Sequence, residues 1–170
     1  MARRTSLREF QISVAERLRT ASTRAALSSR LGFQVGADNW FVALDQVSEV
    51  IPVPASVPVP LTHPWFRGVA NVRGNLYSII DLASFAGGEA AGAGVERRVI
   101  LISERLIAGA GLLVSRMLGL RNPEQFAAAE RPADAPPWLA GVYTAAGGTR
   151  WHELDLPALV KQERFVEVGK

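Results

Sequence analysis

The chain is 170 residues long, 48% hydrophobic and 21% charged, with a net charge of +3 and no cysteine. That is the size of one domain, or of two small subdomains on a shared core, with apolar material enough to fold alone. The lack of cysteine excludes a disulfide framework, a thiolate zinc site and a cysteine nucleophile, and is compatible with the cytoplasm.

Charge is unevenly spread. Residues 1–30 hold seven arginines against Glu9 and Glu16, a local balance of +5, while the rest holds 12 basic and 14 acidic groups, a balance of −2. A body so close to neutral lacks the basic face that phosphate neutralisation needs, so no nucleic-acid partner is expected for it. The longest apolar run, Leu106 to Val114, is nine residues with two glycines inside it, short of the roughly 20 that span a bilayer. No apolar stretch follows the N-terminal arginines, so neither a secretory signal peptide nor direct membrane insertion is expected.

In chain order, Ser6-Leu7-Arg8-Glu9 fits a capping box. Leu7, Phe10, Val14, Leu18, Ala21 and Ala25 then recur at helical spacing, predicting a basic amphipathic helix to about residue 27. From Leu31 the period changes to two. Leu31, Phe33 and Val35, a turn at Gly36-Ala37-Asp38-Asn39 and the run Trp40 to Leu44 predict a hairpin. Asp45 is placed to cap a short helical turn through Gln46, Val47, Ser48 and Glu49. Pro52, Pro54, Pro58, Pro60 and Pro64 predict an extended connector without regular structure.

Gly68 and Gly74 then frame Asn71 and Arg73 ahead of an apolar strand, Leu76 to Leu82, in which Asp81 is placed to cap the next turn. Residues 86–94 read as a flexible loop, and Arg98–Ser103 with Gly111–Ser115 as a second hairpin. Asn122-Pro123-Glu124 is a turn, and the Ala/Pro-rich residues 127–137 read as a loop. Trp138–Thr144 and Arg150–Leu156 predict a last strand pair, followed by a helix from Pro157 to about Arg164. Short strands with Gly and Pro punctuation indicate an all-β barrel or sandwich, with no repeat of solenoid type.

Catalytic chemistry finds no anchor. His63 and His152 are the only histidines, and His152-Glu153-Leu154-Asp155 is not the His-Glu-x-x-His zinc motif. Gly92-Ala93-Gly94 lacks the third glycine and following helix of a dinucleotide fingerprint, and neither a P-loop nor a Gly-x-Ser-x-Gly elbow occurs. No enzyme, cofactor or metal is expected. The four tryptophans read as core, with Trp65-Phe66 the aromatic pair placed best for an interface. What stands out is the turn itself. Its glycines free the backbone, Asn71 can bond to nearby backbone, and Arg73 offers a planar multi-donor group to a partner or to its own loop.

Residues 64–86 resemble the CheW family of chemotaxis scaffold proteins, whose hallmark is x-G-V-x-N-x-R-G followed by a strand ending in D-L. Here it reads Arg67-Gly68-Val69-Ala70-Asn71-Val72-Arg73-Gly74, then Ile79-Ile80-Asp81-Leu82. Phe41 to Ile51, the hairpin at 98–115 and Trp138-Leu139-Ala140-Gly141-Val142 match in order and spacing. Leu7 to Gln11 and Pro64-Trp65-Phe66 look like the branch that serves type IV pilus (twitching motility) chemosensory systems. The resemblance implies two intertwined five-stranded SH3-like β-barrels over residues 31–166, behind a helical extension at 1–30 and closed by a short C-terminal helix. It implies a non-enzymatic cytoplasmic adaptor, recruited to membrane-associated receptor arrays, with two partners: the regulatory domain of a CheA-type histidine kinase and the cytoplasmic tip of a methyl-accepting chemoreceptor. By the same likeness Val47, Glu49, Arg67, Gly68, Asn71, Arg73 and Gly74 are partner-binding residues. The chain departs from the pattern at Ser115, where the family often has Asp, in the longer 127–137 region and in residues 1–30. The competing reading is a nucleic-acid-binding β-barrel with a basic N-terminal arm.

Overall fold

The computed structural model describes residues 29–170, so the helix expected near the N-terminus lies outside the described residues; Arg30 is already in a strand. The period-two stretches form strands β1 (Arg30–Val35), β2 (Asp38–Ala43), β3 (Val47–Pro52), β4 (Ser56–Val57), β5 (Phe66–Val72) and β6 (Asn75–Asp81), followed by a helical turn α1 (Leu82–Phe85). Then come β7 (Arg98–Ile102), β8 (Ala110–Val114), β9 (Arg116–Arg121), β10 (Phe126–Ala129), β11 (Leu139–Ala145) and β12 (Arg150–Leu154), with helices α2 (Leu156–Val160) and α3 (Glu163–Val166). The chain is mainly β, as expected. The strands make two six-stranded sheets, ordered β3-β7-β8-β6-β5-β4 and β10-β11-β12-β2-β1-β9. We call these the first and second barrel.

The two orders are the same topology run twice. β1–β6 with α1 correspond to β7–β12 with α2, and the sequence carries the same marks in both halves. Pro64-Trp65-x-x-Gly68-Val69 recurs as Pro137-Trp138-x-x-Gly141-Val142, and Asp81-Leu82 as Asp155-Leu156. The registers coincide, with an irregularity between Phe66 and Gly68 in one hairpin and between Leu139 and Gly141 in the other. Asp81 N donates to Trp65 O and Asp155 N to Trp138 O, each at 2.8 Å. Each Asp then caps its helix, accepting from Ser84 N and Ala158 N respectively.

Each half gives its first hairpin to the other half's barrel. β2 lies parallel to β12 in the second barrel, and β8 lies parallel to β6 in the first. Both faces of β7 and β8 are therefore covered, which is why they read as unbroken apolar runs. Ile100, Ile102, Leu112 and Val114 face the large core between the barrels, whereas Val99, Leu101 and Leu113 face a small core inside the first barrel with Ile51, Tyr77 and Ile79. Gly111 sits where a Cβ would come within 2.7 Å of Val99 Cγ1. The large core takes Phe33 from β1, Leu82 from α1 and Leu156 and Leu159 from α2.

Several sequence expectations are corrected. Asp45 does not cap a turn through Glu49: a 3-10 turn covers Leu44–Gln46 without a side-chain cap, and Val47 and Glu49 lie on β3. The run Val47–Ile51 pairs with β7, and that pairing overrides the local helical signal. The proline connector contains β4, paired to β5 at Ser56↔Ala70 and Val57↔Val69. Residues 127–129, read as loop, belong to β10, and β9 was not foreseen. The final helix is two short ones. Trp65 and Phe66 are buried in the large core and make no interface. The barrels hold six strands each because β4 and β10 add a short outer strand to the expected five.

His152, on β12, packs at a tilt against Trp40 with ring centroids 4.8 Å apart, and its Nδ1 is buried without a partner among the described residues. Burial holds its pKa below the ordinary 6.5, while Asp38 opposes the shift and Arg150 adds to it. The unfolded chain therefore binds the proton more readily, so His152 contributes stability above about pH 6.5 that is lost as the pH falls through its lower folded value. Thermal unfolding midpoints should drop from about pH 7 to pH 5, and His152→Gln should flatten part of that slope. An unchanged slope in the variant would contradict the assignment.

Candidate functional site

The Gly-framed segment is the β5–β6 hairpin. Val72 pairs with Asn75, leaving a two-residue loop of Arg73 and Gly74. Both have positive φ, +51° and +89°, the requirement of a type I′ turn, which matches the twist of the flanking strands. An arginine in that region is uncommon, and two contacts hold it there. Asn71 Oδ1 accepts from Gly74 N at 2.9 Å, closing the turn from within. Arg73 makes a two-pronged contact with Glu49, Nη1 to Oε2 and Nη2 to Oε1, both at 2.7 Å.

Glu49 reaches this turn from β3, which sits at the opposite end of the sheet order from β4 and β5. The ion pair thus spans the gap between the outer parts of the sheet and fastens the mouth of the first barrel. The pair is open to solvent, with side-chain exposures of 72% for Arg73 and 38% for Glu49. The hydrogen bond to Glu49, then its charge, raise the Arg73 pKa further, so the guanidinium stays charged throughout. Pairing in so exposed a place fixes direction more than it stabilises. The turn both ties down its arginine and presents it: one edge of the fork is engaged and the group as a whole faces outward.

Gly68 serves the same hairpin from its base. Its φ is +108°, and a Cβ there would lie 2.1 Å from Val57 O. Only glycine lets β4 close onto β5 at this point. The structure therefore brings together Glu49, Asn71, Arg73 and Gly74, with Gly68 as a packing requirement below them. The other two expected residues stand apart. Val47 is half-buried against the large core, because a register shift between Val47 and Glu49 separates them. Arg67 is exposed near the start of β5, away from the turn.

The equivalent hairpin of the second barrel is chemically different. Its loop is Ala145-Ala146-Gly147-Gly148-Thr149, with no ionisable group. Its interior is aromatic and polar. Phe41, Phe126, Tyr143 and Trp151 are packed ring on ring, and Glu153 accepts from Arg30 Nε at 3.0 Å and from the Tyr143 hydroxyl at 2.8 Å. Burial, reinforced by that bond to Glu153, raises the Tyr143 pKa. The sequence reading overlooked this contrast, although the repeated Pro-Trp-x-x-Gly-Val signals it. Among the described residues no group of three or more His, Asp or Glu could hold a metal, and no helix is long and apolar enough to cross a membrane.

Residues 30–164 match the CheW-like domain family. The chain is 31% identical over 145 residues to Protein PilI of Pseudomonas aeruginosa, covering 83% of this chain and 80% of that protein. Its fold is similar to that of the scaffolding protein TtCheW from Thermoanaerobacter tengcongensis, with a TM-score of 0.64 and 19% identity over 76% of this chain and 84% of the other.

Gly68→Ala should destabilise the protein by about 2 kcal/mol or more, since it adds both backbone strain and a clash with β4. Gly74→Ala, which meets open space, should cost only about 1 kcal/mol for its positive φ. Urea unfolding of the two variants checks the order; equal losses would contradict the geometry.

Proposed function

The chain belongs to the CheW-like domain family, and on that premise we propose that it is a non-enzymatic signalling adaptor. It couples the cytoplasmic tip of a methyl-accepting chemoreceptor to the regulatory domain of a CheA-type histidine kinase, in a chemosensory pathway that controls type IV pilus twitching motility. The similarity to PilI over most of both chains supports the pilus pathway, and the TtCheW likeness supports the fold on which such an adaptor is built. The protein works in the cytoplasm, at receptor arrays, and reaches the membrane through its partners.

The observation that carries the reading is the Arg73 turn. An exposed guanidinium, aimed by a paired carboxylate and a pinned backbone, can donate to a partner's carbonyl or carboxylate without reordering its own loop. Glu49, Asn71 and Gly74 set its direction and Gly68 sets the hairpin's seat, while Arg67, exposed near the start of β5, offers a separate contact away from the turn, and Val47 on β3 packs against the large core behind it. A nucleic-acid reading gains nothing from this site, where the arginine is matched by its own carboxylate.

Arg73→Glu should leave the fold intact and weaken binding to the kinase or the receptor by about tenfold or more. The exchanged pair Glu49→Arg with Arg73→Glu separates two roles. If Arg73 only fastens the barrel mouth, the exchange restores binding; if a partner reads the guanidinium, it does not. Calorimetric titration against both partners should show loss in both variants. Unchanged affinity for both partners in Arg73→Glu would overturn the site, and full recovery on exchange would reduce it to a fastening.

A further inference from the structure

The duplicated fold makes each barrel a control for the other. At the first barrel's mouth, β3 supplies a carboxylate and the β5–β6 turn a guanidinium. At the second, the corresponding strand β9 supplies Arg116 and Arg121, and the corresponding turn supplies no charge at all. What lies between them is a cleft of about 710 Å³, lined by those two arginines, by Gln34, Asn39 and Gln125, by Trp151 and by the turn around Ala145–Thr149. Among the described residues no acidic side chain lines it. Its size is within the range of small-molecule sites.

Both arginines are positioned by the protein and left without a counter-ion among the described residues. Arg116 Nε donates to Gln34 Oε1 at 2.7 Å, and Gln34 Nε2 donates to Asn39 Oδ1 at 2.9 Å, a polar ladder across β9, β1 and β2. Arg116 is exposed, and among the described residues its terminal nitrogens have no acceptor. Arg121 lies over the Trp151 ring, 5.1 Å from its centroid, with one Nη donating to Leu118 O and with Nε buried and unpartnered. The carboxylate nearby is already taken. Glu153 is engaged by Arg30, which faces Arg121 across the strand pair, and by Tyr143. Two oriented guanidiniums beside three carboxamides, with no internal acid, form a site short of one anion.

We propose that the mouth of the second barrel binds a small organic anion, whose anionic groups pair with Arg116 and Arg121 as Glu49 pairs with Arg73 in the first barrel. The carboxamides of Asn39 and Gln125 and the Thr149 hydroxyl then offer hydrogen bonds to the remainder of the molecule. This goes beyond the adaptor reading and does not depend on it, because the site lies on the other barrel from the Arg73 turn.

The test uses the full chain, labelled for amide and indole NMR, at fixed ionic strength. The probes are inorganic phosphate, benzoate, guanosine 5′-monophosphate and, as a neutral control, guanosine. The expected result is a saturable shift of the Trp151 indole and of amides within 116–126 and 145–151 with at least one anion and none with guanosine. Arg116→Gln, an exposed change that leaves the barrel interior alone, should weaken it about tenfold or more, whereas Lys161→Gln should not alter it. No saturable shift with any anion would overturn the proposal. So would equal binding in Arg116→Gln, or an equal shift with guanosine.

Discussion

Two parallel strand pairings hold this protein together. β12 meets β2 over Trp151–Leu154 and Asn39–Val42, and β6 meets β8 over Ser78–Asp81 and Ala110–Leu113. Every other strand pairing is antiparallel, and most join near neighbours in sequence. The two parallel pairs, with the antiparallel pairs β1–β9 and β3–β7, join the halves of a duplicated chain, so that neither half can complete a barrel with its own strands. The large core depends on the same exchange. Phe33 and Val42 from the first half lie in it beside Leu112, Leu154 and Leu156 from the second. Burial of those side chains is the main stabilising term, and it is available only when both exchanged hairpins are seated.

The interlock explains why the proposed contact surfaces can be so plain. An adaptor needs contact faces in a fixed relation and needs no moving parts. With the barrels sharing strands, the Arg73 turn on one and the arginine-lined cleft on the other ride on a single body. Duplication also lets the mouths diverge. Glu49 and Arg73 fasten the first, while the second has an uncharged turn, Ala145-Ala146-Gly147-Gly148, and arginines on β9. The topology tolerates both, because neither mouth contributes to the large core.

Much of the fold was legible in the sequence because its signals are local. The hairpins at β1–β2, β7–β8 and β11–β12 follow from alternation broken by glycine turns, and Asp81 caps α1 as its position indicates. What escaped depends on distant partners. β9 is half polar, and only its pairing with β1 makes it a strand; β10 is short and alanine-rich and is ordered by β11. Trp65-Phe66 looks like an interface pair in sequence because nothing local tells of α1 and α3: Phe85 of α1 packs edge-on to Trp65, and Phe165 of α3 packs on Phe85. At the site, the Gly68–Gly74 frame was readable from glycine chemistry. The bond from Arg73 to Glu49, 24 residues away, was not, since it exists only once β3 and the hairpin lie at the two sides of one mouth.

The claim on which the rest depends is that the barrels form one cooperative unit. Native-state hydrogen exchange across a series of low urea concentrations tests it most directly. The most protected amides of β2 and β12 in the second barrel and of β6 and β8 in the first should converge on one opening free energy with one denaturant dependence. Separate opening of the two barrels, each with its own free energy and slope, would contradict the account.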